Sequence, residues 1–261
     1  MKYCIANWKM NMNHSQASGY FFNLASDIRE KHHDVLMIIC PPYTLLDLIW
    51  EDENFIMLKE NHGCSLRLGV QNFHPEKKGA YTGEISLDMI SGEDSRGVVD
   101  WAITGHSERR SLFYESNEFI NLKIKAALNH GIRPILCIGE TLEEREEGKT
   151  EEVLYNQLEH CLVDVSCVDK DFLIAYEPVW AIGTNKNADN DTIESANNMI
   201  LDIIKELKHD IQNPKVLYGG SVNNNNAKNL SKICNLDGFL IGGASLDAKQ
   251  FYSIYNTLKG E

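Results

Sequence analysis

Residues 172–184 read FLIAYEPVWAIGT: an apolar run from Phe172 to Tyr176, a carboxylate at Glu177, then a loop that is itself apolar. An apolar run of this length that stops at a charged residue reads as a buried strand reaching the edge of its sheet. Beyond it, Ile193, Ala196, Ile200, Ile203, Ile204 and Leu207 recur at three- and four-residue spacing, one face of a helix, and a new apolar run opens at Val216. Strand, helix, strand is the unit of a parallel sheet, because parallel neighbours need a crossover between them.

The same unit extends in both directions. Runs at 3–8, 35–40, 68–72, 98–104, 132–139, 172–177, 216–218 and 239–242 recur about every 30 to 40 residues, with helical spacing between them, as at Ala17, Tyr20, Phe21, Leu24 and Ile28. Gly131, after a helix ending near His130, suits a left-handed C-terminal cap. Eight repeats in 261 residues predict an α/β fold, a (β/α)8 barrel, whose usual length is roughly 250 residues, as one domain over 1–261. No linker rich in Pro, Gly or Ser interrupts the pattern. The third strand is the least defined, since 54–68 holds two apolar bursts. The acidic run 143–147 reads as a solvated helical face, and the asparagines 223–226 as a cap or turn.

Composition narrows the function. Hydrophobic content of 43% with 24% charged residues excludes disorder and suits a compact enzyme. Neither a signal-peptide core nor an apolar stretch of membrane-spanning length is present, so a cytoplasmic protein is expected. Seven cysteines, odd in number and never spaced CxxC, argue against a disulfide framework and a zinc site. A net charge of −13 disfavours nucleic acid and anionic membranes as partners. The same charge repels an anionic metabolite, so any phosphate substrate needs local cations or backbone N–H groups.

In a parallel barrel, function collects where the strands end. Lys9, at the mouth of the first strand, is either a snorkelling surface side chain or a cation aimed into the cavity. His106 precedes a helix, whose N-terminus disfavours a positive imidazolium and suits a neutral donor; a structural histidine beside a capping serine is the alternative. Glu177 with Val179, Trp180 and Ile182 suggests a base beneath an apolar lid over 178–188 that excludes water and raises its basicity, or else a loop packed permanently on the rim. Glycine pairs at 219–220 and 242–243 let backbone N–H groups approach an oxyanion.

Taken in order, ANWKMN (6–11), TGHSERR (104–110), CIGE (137–140), AYEPVWAIGT (175–184), YGGSV (218–222) and FLIGGASL (239–246) closely resemble the triosephosphate isomerase family, from Asn7 to Ser245. The resemblance implies interconversion of dihydroxyacetone phosphate and D-glyceraldehyde 3-phosphate through an enediolate, in glycolysis and gluconeogenesis. It implies Glu177 as the base, His106 as the neutral electrophile, Lys9 supporting the anionic transition state and Asn7 helping to position it. Gly183, Ser221, Gly242 and Gly243 would bind the phosphate, and Glu108 would orient Lys9. No metal and no organic cofactor is implied. The segment 71–84 resembles the loop that family members insert into a partner subunit, with Thr82 toward the neighbour's site, which implies a homodimer. Where relatives carry Gly-Lys-Thr-Ala, this chain has Asn185-Lys186-Asn187-Ala188, a changed far hinge; 62–68 also departs from the pattern. A four-carbon sugar phosphate, such as a tetrulose phosphate, would suit the same base, electrophile and phosphate loops. A non-catalytic sugar-phosphate-binding barrel is a further alternative, disfavoured by Lys9, His106 and Glu177 occurring together.

Overall fold

The computed structural model describes residues 1–28, 34–60, 65–91, 98–182 and 188–259, with Asp169 lacking a described side chain. Eight strands, β1 (Lys2–Asn7), β2 (Val35–Cys40), β3 (Ser65–Val70), β4 (Trp101–Thr104), β5 (Arg133–Ile138), β6 (Ser166–Tyr176), β7 (Asp210–Tyr218) and β8 (Gly238–Ile241), pair in parallel and in chain order into a closed barrel. Closure joins β1 to β8 with Tyr3 opposite Gly238. Gly238 has φ 150°, and a Cβ there would lie 1.9 Å from the Tyr3 carbonyl oxygen, so only glycine lets the last strand approach the first this closely.

The helices described between strands include α1 (His14–Asp27), α2 (Leu46–Glu51), α3 (Glu53–Glu60), α4 (Leu87–Ser91), α5 (Ser107–Leu112), α6 (Asn117–Asn129), α7 (Leu142–Glu146), α8 (Thr150–Cys161), α9 (Asn190–Leu207), α10 (Ala227–Leu230) and α11 (Ala248–Thr257). Helix α1 shows how the sequence sets them. Asn13 and Gln16 form a reciprocal capping box at its start, and Ala17, Tyr20, Phe21 and Leu24 bury its apolar stripe. Each such Leu or Phe contributes about 1.5–3 kcal/mol by burial. Gly131 caps α6 with φ 73°, as its position predicts.

The strand boundaries differ from the sequence reading in several places, and β4 starts at Trp101 rather than Val98. The first apolar burst of 54–68 is α3, with Phe55 and Leu58 buried at helical spacing, and β3 spans Ser65–Val70 with Leu66, Leu68 and Val70 buried at alternate positions. Strands β6 and β7 begin at Ser166 and Asp210, well before their apolar runs, and pair with each other through a register shift between Cys167 and Asp171. Among the described residues no helix is long and apolar enough to cross a membrane.

Alternation along the strands fills the barrel. Tyr3, Ile5, Trp101, Ile103, Ile135, Cys137, Leu173, Ala175, Leu217 and Leu240 belong to one buried cluster inside it, while Cys4, Ala6, Leu136, Ile174 and Val216 join the cluster shared with the helices. Two residues further along each strand, the inward alternation reaches Asn7, Gly105, Gly139, Glu177, Gly219 and Gly242. These form the mouth.

Candidate active site

Glu177 is the large side chain of this mouth layer, and glycines make room for it. A Cβ at Gly139 would lie 1.8 Å from the Glu177 carbonyl oxygen, and one at Gly219 would lie 2.7 Å from Glu177 Cγ. The glycine pair after β7 therefore serves packing as well as any approach to an oxyanion: the Gly219 N–H already donates to the Tyr176 carbonyl at 2.8 Å. At Gly220 a Cβ would meet the Tyr218 hydroxyl at 2.3 Å.

The Glu177 carboxylate is 2% exposed and is held from one side. Oε2 accepts the Ser107 N–H at 2.9 Å, and Oε1 lies 3.1 Å from His106 Nε2. Ser107 opens α5, so the carboxylate rests on N–H groups that have no partner within that helix. His106 is the N-cap of α5, where its Nδ1 accepts the Glu108 N–H at 3.2 Å. An accepting ring nitrogen carries no proton, so this network assigns the proton to Nε2, the neutral tautomer that donates toward Glu177.

Lys9 follows β1 in a left-handed conformation, φ 52°, unusual for a residue with a side chain. Its N–H donates to Asn7 Oδ1 at 3.1 Å, and its carbonyl accepts Gln71 Nε2 at 2.9 Å. Fixed in this way, its ammonium pairs with Glu108 at 2.6 Å, and its stem passes 3.4 Å from where a Cβ on Gly242 would stand. Of the two readings open to Lys9, the structure favours the one that turns it toward the cavity.

That cavity, about 360 Å³, is lined by Asn7, Lys9, His106, Glu177, Ser221, Gly242 and Gly243, among others. The Ser221 hydroxyl donates to the Ala181 carbonyl at 2.9 Å, tying the loop after β7 to the loop after β6. A Cβ at Gly243 would meet nothing within 4 Å, so its backbone lies open. Gly183 lies outside the described residues, as does 185–187 of the far hinge.

Glu140 has a structural part that the sequence reading did not give it. Fully buried, it accepts the Tyr176 hydroxyl at 3.0 Å and Trp180 Nε1 at 3.0 Å, with Arg145 at 3.4 Å. Burial and the charge of Glu140 hold the Tyr176 phenol far above its usual range. The signal was present in the CIGE motif, an acid directly after an apolar strand. The Ser107 N–H has no such signal, being backbone. Burial also pushes the Tyr218 phenol up to about 12.

The arrangement gathers a buried carboxylate, an imidazole donor, a lysine and small residues around one cavity, which suits proton transfer on an anionic carbonyl compound. The family model for triosephosphate isomerase matches residues 2–258. The chain belongs to the triosephosphate isomerase family. It is 40% identical over 251 residues to a protein named triosephosphate isomerase from Trichodesmium erythraeum (strain IMS101), covering 96% of each chain. Proteins of the same name from Fusobacterium nucleatum and Aquifex aeolicus are each 41% identical, with 95% of this chain covered, and 95% and 96% of theirs. Within this triosephosphate isomerase family member, the described residues that the resemblance assigns to catalysis and phosphate binding all line one cavity.

Proposed function

We propose that the protein interconverts dihydroxyacetone phosphate and D-glyceraldehyde 3-phosphate through an enediolate, in glycolysis and gluconeogenesis. The observation that carries this reading is the buried Glu177–His106 pair at 3.1 Å, sharing a single cavity with Lys9, Ser221, Gly242 and Gly243. A substrate entering between the pair takes their mutual hydrogen bond apart. Glu177 then faces the C–H beside the carbonyl and abstracts its proton, while His106 Nε2–H donates to the carbonyl oxygen as negative charge develops there. Lys9 supplies positive charge to the same oxygen and to the phosphate, against the field of a chain carrying −13. Ser221, Gly242 and Gly243 bind the phosphate, together with Gly183. Val179, Trp180 and Ile182 exclude water from the enediolate.

The enzyme acts as a homodimer in this reading. Leu112, Phe113 and Tyr114 form a run of exposed apolar side chains, at 68%, 60% and 86% exposure, of the kind an interface covers. Thr82, exposed on the 71–84 loop, reaches the neighbour's site. The six described cysteines are free thiols, which supports a reducing compartment such as the cytoplasm. The decisive test compares kcat/KM for dihydroxyacetone phosphate with that for erythrulose phosphates. A clear preference for the triose is expected, and a preference for the four-carbon sugar overturns the assignment.

A further inference from the structure

Glu177 owes its backbone position to the end of the neighbouring strand. Its N–H donates to the Ile138 carbonyl at 2.7 Å, and its own carbonyl sits where any Cβ on Gly139 would be, 1.8 Å away. The next residue, Glu140, accepts Trp180 through its carboxylate and the Val179 N–H through its carbonyl, both at 3.0 Å. The segment 138–140 thus carries the base and the first residues of the lid together. Strand β5 ends at Ile138, so Gly139 no longer belongs to the ladder that orders the rest of the strand.

A side chain from the outer layer takes over. Gln157, on α8, accepts the Gly139 N–H at 2.9 Å through Oε1 and donates to the Gly139 carbonyl through Nε2 at 3.1 Å. One amide thus satisfies both backbone groups of one residue, as a neighbouring strand would. Packing alone does not hold this place: a second cavity, about 230 Å³, is lined by Gly139, Gln157, Glu177 and Val179, so the segment has space to move into. We propose that Gln157 is a positioning residue for the proton transfer, clamping Gly139 so that Glu177 and the near end of the lid stay in register with the substrate. This rests on the isomerase reading above. The chemistry needs it because proton transfer depends steeply on placement, and a displacement near 1 Å can cost on the order of 10²-fold.

The test uses the full-length protein and two substitutions. Gln157→Met keeps the length and removes both hydrogen bonds; kcat is expected to fall about 10- to 100-fold, with KM and the Kd of a phosphate-bearing inhibitor within about twofold of the original. Gln157→Glu keeps the acceptor for the Gly139 N–H and loses the donor until its carboxyl is protonated. Its kcat relative to the unmodified enzyme should therefore rise as pH falls from about 8 to about 5. A purely structural role would lower thermal stability and leave both kcat per folded molecule and this pH-dependent ratio unmoved, which overturns the proposal. If Gln157→Met does not fold, the pH-dependent ratio of Gln157→Glu decides alone, and failure of both variants to fold also overturns a positioning role. An unmodified protein that does not turn over triose phosphate overturns the isomerase reading and this proposal together. An active one matched by Gln157→Met overturns only the clamp.

Discussion

The two ends of the barrel interior use the same inward positions for opposite purposes. At the floor, Tyr3 and Trp101 meet edge to face at 5.8 Å, the Arg133 guanidinium lies 5.0 Å from the centre of the Trp101 ring, and the Tyr3 hydroxyl donates to the Asp171 carboxylate. Four residues further along the same two strands, at the mouth, Asn7 stands in line with Tyr3 and Gly105 in line with Trp101. The floor is filled with aromatic volume and its polar groups have permanent partners. The mouth is emptied by glycine, and its principal polar groups, Glu177 and His106, bond to each other in an arrangement that, on the proposed mechanism, a substrate takes apart. A group whose partner is permanent contributes to stability; a group whose partner is exchanged on binding contributes to turnover.

Substitutions at the two ends should separate accordingly. The largest effect is expected from Glu177→Gln, which removes the base but keeps the shape. Steady-state kinetics should show kcat reduced by on the order of 10²–10⁴ or more, while calorimetry with a phosphate-bearing inhibitor finds binding largely intact. Near-normal kcat would assign the proton transfer to another residue. Lys9→Met comes next, with kcat lowered by roughly 10²–10³ and inhibitor affinity weakened as well, because the overall −13 charge then acts unopposed. Unchanged affinity would show that the Lys9 charge does not reach the ligand.

At the floor, Trp101→Ala should cost about 3–5 kcal/mol in denaturant unfolding yet leave kcat/KM of the folded fraction within about twofold. A large kinetic loss there would break the division between the two ends. The smallest and most discriminating change is Gly219→Ala. Its Cβ would stand 2.7 Å from Glu177 Cγ, the movable part of a side chain, so the base is pushed while the backbone ladder stays. A fall in kcat of about 10- to 100-fold with the thermal midpoint nearly unchanged is expected. A folded variant with full activity would mean that the base tolerates displacement.

Much of this was legible in the sequence because the barrel writes itself twice: as apolar runs along the strands and as unusual residues where the runs stop. Lys9, His106 and Glu177 each break an apolar pattern, and each lies at the mouth. The starts of β6 and β7 were not legible. Cys167 through Asp171 and Asp210 through Lys215 include polar and charged side chains, many of them exposed, so the backbone ladder continues where the hydrophobic pattern has already ended. The bond between Lys9 and Glu108 joins residues far apart in the chain, and only the resemblance hinted at it. The glycines at 139 and 219 show a different limit. Sequence marks a glycine but not what approaches it, and here the approaching group is Glu177, the proposed base.

Closure of the barrel at Tyr3 and Gly238 has a consequence for how the molecule is made. Strand β1 is synthesised before the other seven strands and β8 after them, so the backbone groups along the β1 edge that β8 will occupy stay unpaired until all eight strands have emerged. For that interval any β1 edge that forms is open to pairing with a neighbouring chain. A side chain at 238 would extend the interval indefinitely, and its first visible effect would be insoluble protein in the cell rather than a slow enzyme.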